Sequence, residues 1–451
     1  MLEKNWIAPF KVNKITFFGA YALSIDDCDY VFLITRLGYS IVLHNTFISQ
    51  IMSHTINDEL AIKLLSHGMI SIEGIQHWNN SEYQCDEIKP TYFLVDLTKS
   101  CNYNCIYCFR DLNEKRKIKS SLLLDICDYI NKTVSEFNLD SITIQFWGGE
   151  PLLATELIQQ VLDYFSEKKY RVRYDIETNA SLITPKIAQM LYNNAISVGV
   201  SIDGTPKIQN FQRPQLNGEP SSDSVENGCH SLSKFYGTNF GGICVVTKYN
   251  FRHIHEIISY FISELGIHNM KFNLVRDNPN ADITELGLEK EEIEWFAQQL
   301  CDITEAYNII GVGFSEGNIK TRRENLFQRL NSSCCISRGC TGGKRIISFD
   351  MDGNIFPCEL IDHPQMCIGS IYSDKSLKEL LNSSSLTDRF YKKHKKECDT
   401  CPWWFFCKGG CSSKVYYSST SECVDENECI LNQTIYPYIV KSLLCKGSGG
   451  K

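Results

Sequence analysis

The middle of this chain predicts an α/β fold of parallel strands, built either as a partial six-unit barrel or as a doubly wound sheet. Three observations predict it. Six β-rich apolar runs alternate with amphipathic helical segments between residues 91 and 310, the pattern of parallel βα units. Polar residues recur where those runs end, the place where such folds gather ligands. Near residue 330 the alternation stops and an irregular, cysteine-rich region takes over.

Taken in order, residues 1–90 read as a small α+β module. YVFLIT (30–35) and YSIVLH (39–44) flank RLG as a hairpin. Two helical patterns follow at 46–53 and 58–67, the second capped by Asn57 or Asp58 and closed by Gly68. The polar HWNNSEYQCDEIKP (77–90) reads as a linker. The buried strands expected in 91–310 are TYFLVDLT (91–98), SITIQFW (141–147), VRYDIETN (172–179), ISVGVSID (196–203), GGICVVTK (241–248) and MKFNLV (270–275). Among the helices, TELIQQVLDYFSEK keeps Leu157, Ile158, Val161, Leu162 and Phe165 at helical spacing. EKEEIEWFAQQLCDITEAY puts Ile293, Phe296 and Leu300 on one face. Residues 311–445 then form a bridging segment and a cysteine-rich domain, with a hairpin in IISFDMDGNIFPC turning at Asp352 and Gly353. KGSGGK (446–451) reads as a flexible tail.

Composition narrows the function classes. A formal net charge of −8 argues against a nucleic-acid binder, which would carry a basic stripe. The sequence is 43% hydrophobic, but no apolar run approaches the ~18 residues of a membrane span. MLEKNWIAPFKVNK lacks the apolar core of a signal peptide, so a cytoplasmic protein is expected. Cysteine is the outlier: there are 21, and twelve lie from Cys334 to Cys445. In a long chain of this kind, clustered cysteines point to metal before disulfides.

Cys101, Cys105 and Cys108 follow the first strand directly. Three thiolates from one loop can hold three irons of a 4Fe-4S cluster and leave the fourth open to a chelating substrate. A zinc site completed by a distant His or Cys, or three core thiols, would also fit. The second strand ends in Gly148, Gly149 and Glu150, where glycines let backbone approach a ligand, although GGEP is also a plain turn. The third ends at Asn179, the fourth at Ser201 and Asp203, and Arg213 follows in QRP. Four polar strand ends in register favour a site. Further on come Cys340, Gly353 and Cys358, then Cys398-x2-Cys401-x5-Cys407-x3-Cys411, then Cys423 and Cys429. This spacing suits at least two four-thiolate sites, and zinc is chemically as natural there as iron and sulfide.

C-x3-C-x2-C with an aromatic before the last Cys, followed by GGEP, TN and SIDG, resembles the radical S-adenosylmethionine (SAM) enzymes across residues 91–310. The resemblance implies a partial (β/α)6 barrel with a 4Fe-4S cluster on Cys101, Cys105 and Cys108, whose open iron chelates SAM. It places Gly148, Gly149 and Glu150 by the SAM amino group, and Ser201 and Arg213 by its carboxylate and ribose. Asn179 is similar to a SAM-side asparagine, although the family usually has TNG where this chain has TNA. The later cysteines resemble the SPASM extension, which carries two auxiliary 4Fe-4S clusters and makes three in all. By that resemblance one takes Cys340, Cys358, Cys411 and Cys334 (or Cys335), and the other takes Cys398, Cys401, Cys407 and Cys429 (or Cys423). Cys28, Cys85, Cys127, Cys229, Cys244, Cys301, Cys367 and Cys445 lack such context and read as buried or free thiols.

Glu359, next to Cys358, matches an acidic base of the sulfatase-maturing relatives, with a surface carboxylate as the plainer reading. PWWFF (402–406) would shield a cluster from water. The resemblance implies reductive cleavage of SAM, hydrogen abstraction from a ribosomally made precursor peptide, and an electron supply from a flavodoxin or ferredoxin. Residues 1–90 are similar to PqqD-like winged-helix modules that bind a leader peptide at a strand edge. FLVDLT, YCFR, WGGEPLL and QRP together look most like maturases of the His-Xaa-Ser peptide system and cyclophane-forming relatives. An intramolecular peptide cross-link is therefore the expected product. The alternatives are an anaerobic sulfatase-maturing enzyme that makes formylglycine, and a zinc-binding adaptor without activity.

Overall fold

The computed structural model describes residues 2–73, 88–111, 114–277, 284–327, 335, 339–383, 394–418 and 424–447. Most of the 77–90 linker, together with Cys85, Cys334 and Cys423, lies outside them.

The N-terminal module is β-rich, and a PqqD-like winged helix is not shown. Strands β1 (Leu2–Ile7), β4 (Ala20–Ile25), β5 (Tyr30–Ile34) and β6 (Ser40–His44) form one antiparallel sheet in the order β1-β4-β5-β6. Short strands β2 (Phe10–Val12), β3 (Ile15–Phe17) and β7 (Ile70–Ile72) form a second. The expected hairpin is β5–β6, in register from Tyr30↔His44 to Ile34↔Ser40. Helices α1 (Asn45–Met52) and α2 (Asp58–Ser66) follow it. Asn57 supplies the α2 cap, its side chain accepting from the Leu60 amide at 2.9 Å, and Gly68 beyond the helix end has φ +67°.

Strands β4 and β5 are buried on both faces. Ala20, Ala22, Val31 and Leu33 join Leu60 and Leu64 of α2 in the module's own core. Tyr21, Leu23, Phe32 and Ile34 belong instead to the main core, with Ile435, Ile439 and Val440 of the long C-terminal helix Glu426–Gly447. That helix takes in the first two residues of the expected tail.

The six expected strands all form, in order: β8 (Tyr92–Thr98), β9 (Ser141–Gly148), β10 (Arg171–Thr178), β11 (Ile196–Ser201), β12 (Gly241–Val246) and β13 (Asn269–Leu274). Each is parallel to the next, and a short β14 (Ser315–Glu316) adds to β13. Sheet order follows chain order from β8 to β14. A doubly wound sheet reverses direction at a switch point; this one never does, so the crossovers wind one way as in a barrel. The helix Thr155–Phe165 buries all five of its expected apolar residues.

The cysteine-rich region continues the same sheet. β15 (Ile346–Phe349) pairs in parallel with β8, and β16 (Asn354–Phe356) and β17 (Gly369–Ser370) extend it antiparallel. Gly353, at φ +81°, turns the β15–β16 hairpin. The pairing sets this region beside the strand that leads into Cys101.

Candidate active site

The cysteine loop is pinned by the segment that carries Arg213. Asn104 and Ile106 donate backbone hydrogen bonds to Pro214 and Gln212 (2.9 and 3.0 Å), and Leu216 donates to Asn102 (2.8 Å). Tyr103 is 1% exposed and fastens the loop to the core, its hydroxyl 3.0 Å from that of Ser224. Tyr107, the aromatic before Cys108, donates to Asp203 and accepts from Arg213 Nη1 at 2.7 Å. Asp203 itself is fully buried and accepts from the Val245 amide (2.9 Å) and Gln212 (2.9 Å). It therefore ties strand ends together and positions Tyr107 and Arg213.

Gly148 and Gly149 make room for this loop. A Cβ on Gly149 would lie 2.3 Å from the Ser100 carbonyl oxygen, and one on Gly148 2.7 Å from that of Thr98. The Gly149 amide donates to Thr98 (2.7 Å) and the Glu150 amide to Ser100 (2.9 Å). The Glu150 carboxylate is buried and accepts from Thr178 Oγ1 (2.7 Å) and from the Asn179 and Leu152 amides (2.8 and 3.0 Å). Burial still raises its pKa. Asn179 donates to Asn102 at 2.8 Å, so GGE, TN and the cysteine loop form one hydrogen-bonded unit. Ala180 has φ +60°, a conformation natural to glycine that costs alanine roughly 1–2 kcal/mol. The departure from TNG therefore carries a strain cost, and nothing in the structure explains it.

Cys101, Cys105, Cys108, Gly148, Gly149, Glu150, Asn179, Ser201 and Arg213 all line one cavity of about 430 Å³. Cys335, Cys340, Cys358, Cys411 and Glu359 line it too. Among the described residues, two buried donors at its wall, Arg213 Nε and the indole nitrogen of Trp147, have no hydrogen-bond partner. Burial pushes the Cys101 thiol up to about 11 and Cys105 up to about 12, with the Arg213 guanidinium pulling both down. Thiols so placed need a strong Lewis acid to ionise, and loading one releases protons.

Glu359 is part of this wall and not a surface carboxylate; burial raises its pKa, and Arg276 and Arg110 oppose the rise. Facing the same space is a residue the motif reading passed over. Burial, then the charge of Glu359, pushes Glu177 up to about 7. Glu177 stands two residues before Asn179, and residues two apart on a strand share a face. That periodicity was the available signal.

Burial lifts Cys358 well above its ordinary value, and Glu359, Cys340 and Cys411 lift it further, so these three thiols are neighbours. Cys398, Cys401, Cys407 and Cys429 line a second cavity of about 560 Å³ beside Trp403 and Trp404. Among the described residues no three His, Cys, Asp or Glu converge as they would on a single metal ion. Of the thiols without a motif, Cys127, Cys229, Cys244 and Cys301 are core residues, while Cys367 and Cys445 are exposed.

Residues 95–261 match the radical SAM superfamily, and residues 340–402 match the SPASM iron-sulfur cluster-binding domain. The chain carries a radical SAM domain and a SPASM domain. It is an enzyme that uses SAM and 4Fe-4S clusters, one in the radical SAM domain and auxiliary ones in SPASM. An uncharacterized protein of Methanocaldococcus jannaschii is 35% identical over 43% of this chain and 65% of its own length. A cysteine-type anaerobic sulfatase-maturating enzyme of Clostridium perfringens is 27% identical over 71% of this chain and 89% of its own. Among solved structures, anSMEcpe with bound AdoMet and the Cp18Cys peptide aligns at TM-score 0.69 and 24% identity, over 79% of this chain and 99% of that one. Streptococcus suis SuiB bound to its precursor peptide SuiA aligns at TM-score 0.57 and 15% identity, over 88% and 98%. These likenesses fix the fold of the radical SAM and SPASM domains. Among the described residues no helix is long and apolar enough to cross a membrane.

Proposed function

We propose that this radical SAM enzyme takes a hydrogen from a ribosomally made precursor peptide and joins two of its residues in an intramolecular cross-link of cyclophane or thioether type. One observation carries the reading: Cys101, Cys105 and Cys108 open onto the same cavity as Cys340, Cys358 and Cys411, with Glu177 and Glu359 also on its wall. A substrate side chain there would meet a radical source on one side and an electron acceptor on the other, as an oxidative ring closure needs.

Bound at the first cysteine loop, the cluster and SAM supply a 5′-deoxyadenosyl radical. The chain's own part is to hold and to exclude. Cys101, Cys105 and Cys108 ligate, Gly148, Gly149, Glu150 and Asn179 shape the SAM side, and Ser201 with the free Arg213 Nε takes the carboxylate and ribose. Glu359 and Glu177 receive or hold a substrate proton. Cys340, Cys358 and Cys411 with Cys334 or Cys335 hold one auxiliary cluster; Cys398, Cys401, Cys407 and Cys429 hold the other, with Cys423 in reserve. A flavodoxin or ferredoxin supplies electrons. The exposed edge of β1 pairs with an extended leader peptide.

The 27% identity to a sulfatase-maturating enzyme favours a second reading, oxidation of a cysteine or serine to formylglycine. Mass spectrometry separates the two. Short peptides encoded beside the gene, incubated with reconstituted enzyme, should lose two hydrogens with every residue retained. Replacement of a cysteine sulfur by a carbonyl oxygen, or a serine that loses two hydrogens and then reacts with hydrazide as an aldehyde, would instead mark formylglycine and overturn the cross-link.

A further inference from the structure

The N-terminal module grips a loop of the second cysteine site. Asp399 and Thr400 are the two residues between Cys398 and Cys401. Arg36 Nη2 donates to the Asp399 carbonyl at 2.9 Å, the Tyr21 hydroxyl to the same carbonyl at 3.4 Å, and Lys4 Nζ to the Thr400 carbonyl at 3.2 Å. These donors come from β4, from β1 and from the β5–β6 turn, yet they form one stack. Trp6 and Tyr21 are cross-strand partners with ring centroids 4.7 Å apart. The Arg36 guanidinium lies 5.0 Å from the Trp6 ring centre, and the Lys4 ammonium lies 5.8 Å from that of Tyr21. Trp6, 40% exposed on an edge strand, is thereby given a task.

A second contact fixes the same segment from its other end. Gly38, in the β5–β6 turn at φ +74°, faces the Phe405 ring, which a Cβ would approach to 2.2 Å. Of the aromatic run 402–406, Trp403 and Phe406 stack on Tyr436 of the C-terminal helix at 4.7 and 5.7 Å. Phe405 is left to seat the module. The module's contacts thus bracket Cys401 on both sides.

We infer that the N-terminal module is a positioning element of the second auxiliary site, where Lys4, Tyr21 and Arg36 hold the Cys398–Cys401 loop in its ligating shape and two fixed cations favour the reduced form of the cluster bound there. The inference rests on the assignment of Cys398, Cys401, Cys407 and Cys429 to one 4Fe-4S cluster. Cluster potentials respond to net charge, hydrogen bonding and exposure, and cations held close stabilise an added electron, by less where, as here, their hydrogen bonds are exposed to water. A module that docks through these groups also links its own attachment to that potential.

The test uses the full chain, reconstituted anaerobically, with each cluster's midpoint potential followed by EPR-monitored titration. Cys401→Ser identifies the signal of the second auxiliary site; if it leaves that site's iron and signal untouched, the ligand assignment fails and the inference with it. With the signal identified, the double variant Lys4→Gln/Arg36→Gln should keep about twelve irons per chain, as three clusters of four require. Its second auxiliary potential alone should move lower. Lys11→Gln, whose partner Glu73 lies on the same module, should move none. Arg36→Lys, which keeps the charge, should sit between wild type and Arg36→Gln and guards against a double variant that fails to fold. Unchanged potentials in Arg36→Gln, or an equal shift of all three clusters, would overturn the inference while leaving the ligand assignment intact.

Discussion

Gly149→Ala tests how the site is built. The new methyl carbon would lie 2.3 Å from the Ser100 carbonyl oxygen, 2.6 Å from its carbon and 2.8 Å from the Lys99 carbonyl oxygen. All three are backbone atoms, so no rotamer change relieves the contact. The cysteine loop must retreat by about 1 Å to reach ordinary van der Waals separation, and close-packed interiors give way reluctantly. Overpacking of this kind costs about 1–3 kcal/mol. The retreat also stretches the Gly149–Thr98 and Glu150–Ser100 hydrogen bonds, each worth about 1 kcal/mol. A reacting group displaced by about 1 Å can lose roughly 100-fold in rate. Gly149→Ala should therefore cut 5′-deoxyadenosine formation by about that factor and weaken iron retention at Cys101, Cys105 and Cys108, with the auxiliary clusters unaffected. Gly218→Ala is the control: its φ is +85° but nothing lies within 4 Å of the added carbon, so it should cost only about 1 kcal/mol of stability and no activity. A Gly149→Ala enzyme with full iron and wild-type rate would refute the reasoning.

Two further outcomes follow from the same geometry. Arg213→Lys keeps the charge but loses the guanidinium that meets Tyr107 at 2.7 Å and leaves Nε for a ligand. The KM for SAM should rise about 10- to 100-fold at little cost in kcat, for a loss of one or two charge-assisted hydrogen bonds, and equal KM values would contradict it. Glu177, pushed up to about 7, binds its proton more tightly folded than unfolded. Its contribution to stability is complete below the ordinary glutamate pKa near 4.5 and fades as pH rises through 7, by about 3 kcal/mol at roughly 1.4 kcal/mol per pH unit. Glu177→Gln should thus unfold in urea like wild type at low pH but resist better at pH 8; parallel profiles would rule this out.

The barrel was legible because its strands read as β-rich runs between helices of clear 3.6-residue period, even though only β8 is buried nearly throughout while β12 and β13 alternate. Winding direction was not, since βα alternation is common to barrels and doubly wound sheets, and only the strand order distinguishes them. The N-terminal strands escaped notice for two physical reasons. LEKNWI is an edge strand whose middle four residues face solvent, and AYALSI is buried on both faces and shows no alternation. Motif spacing found the cysteines but could not choose between Cys334 and Cys335, one residue apart. It also missed Glu177, whose significance comes from Glu359, a residue distant in sequence and close only after β15 pairs with β8. The docking of Arg36 and Lys4 was equally hidden, because it reads backbone carbonyls and leaves no trace in side-chain identity at 399 and 400.

Metal content measured beside SAM cleavage tests the central claim most directly. Anaerobically reconstituted wild type should hold about twelve irons and as many acid-labile sulfides and should form 5′-deoxyadenosine. The triple variant Cys101→Ala/Cys105→Ala/Cys108→Ala should keep about eight of each and form none. Zinc in place of iron with no labile sulfide, or 5′-deoxyadenosine formed by the triple variant, would contradict an open cluster on that loop.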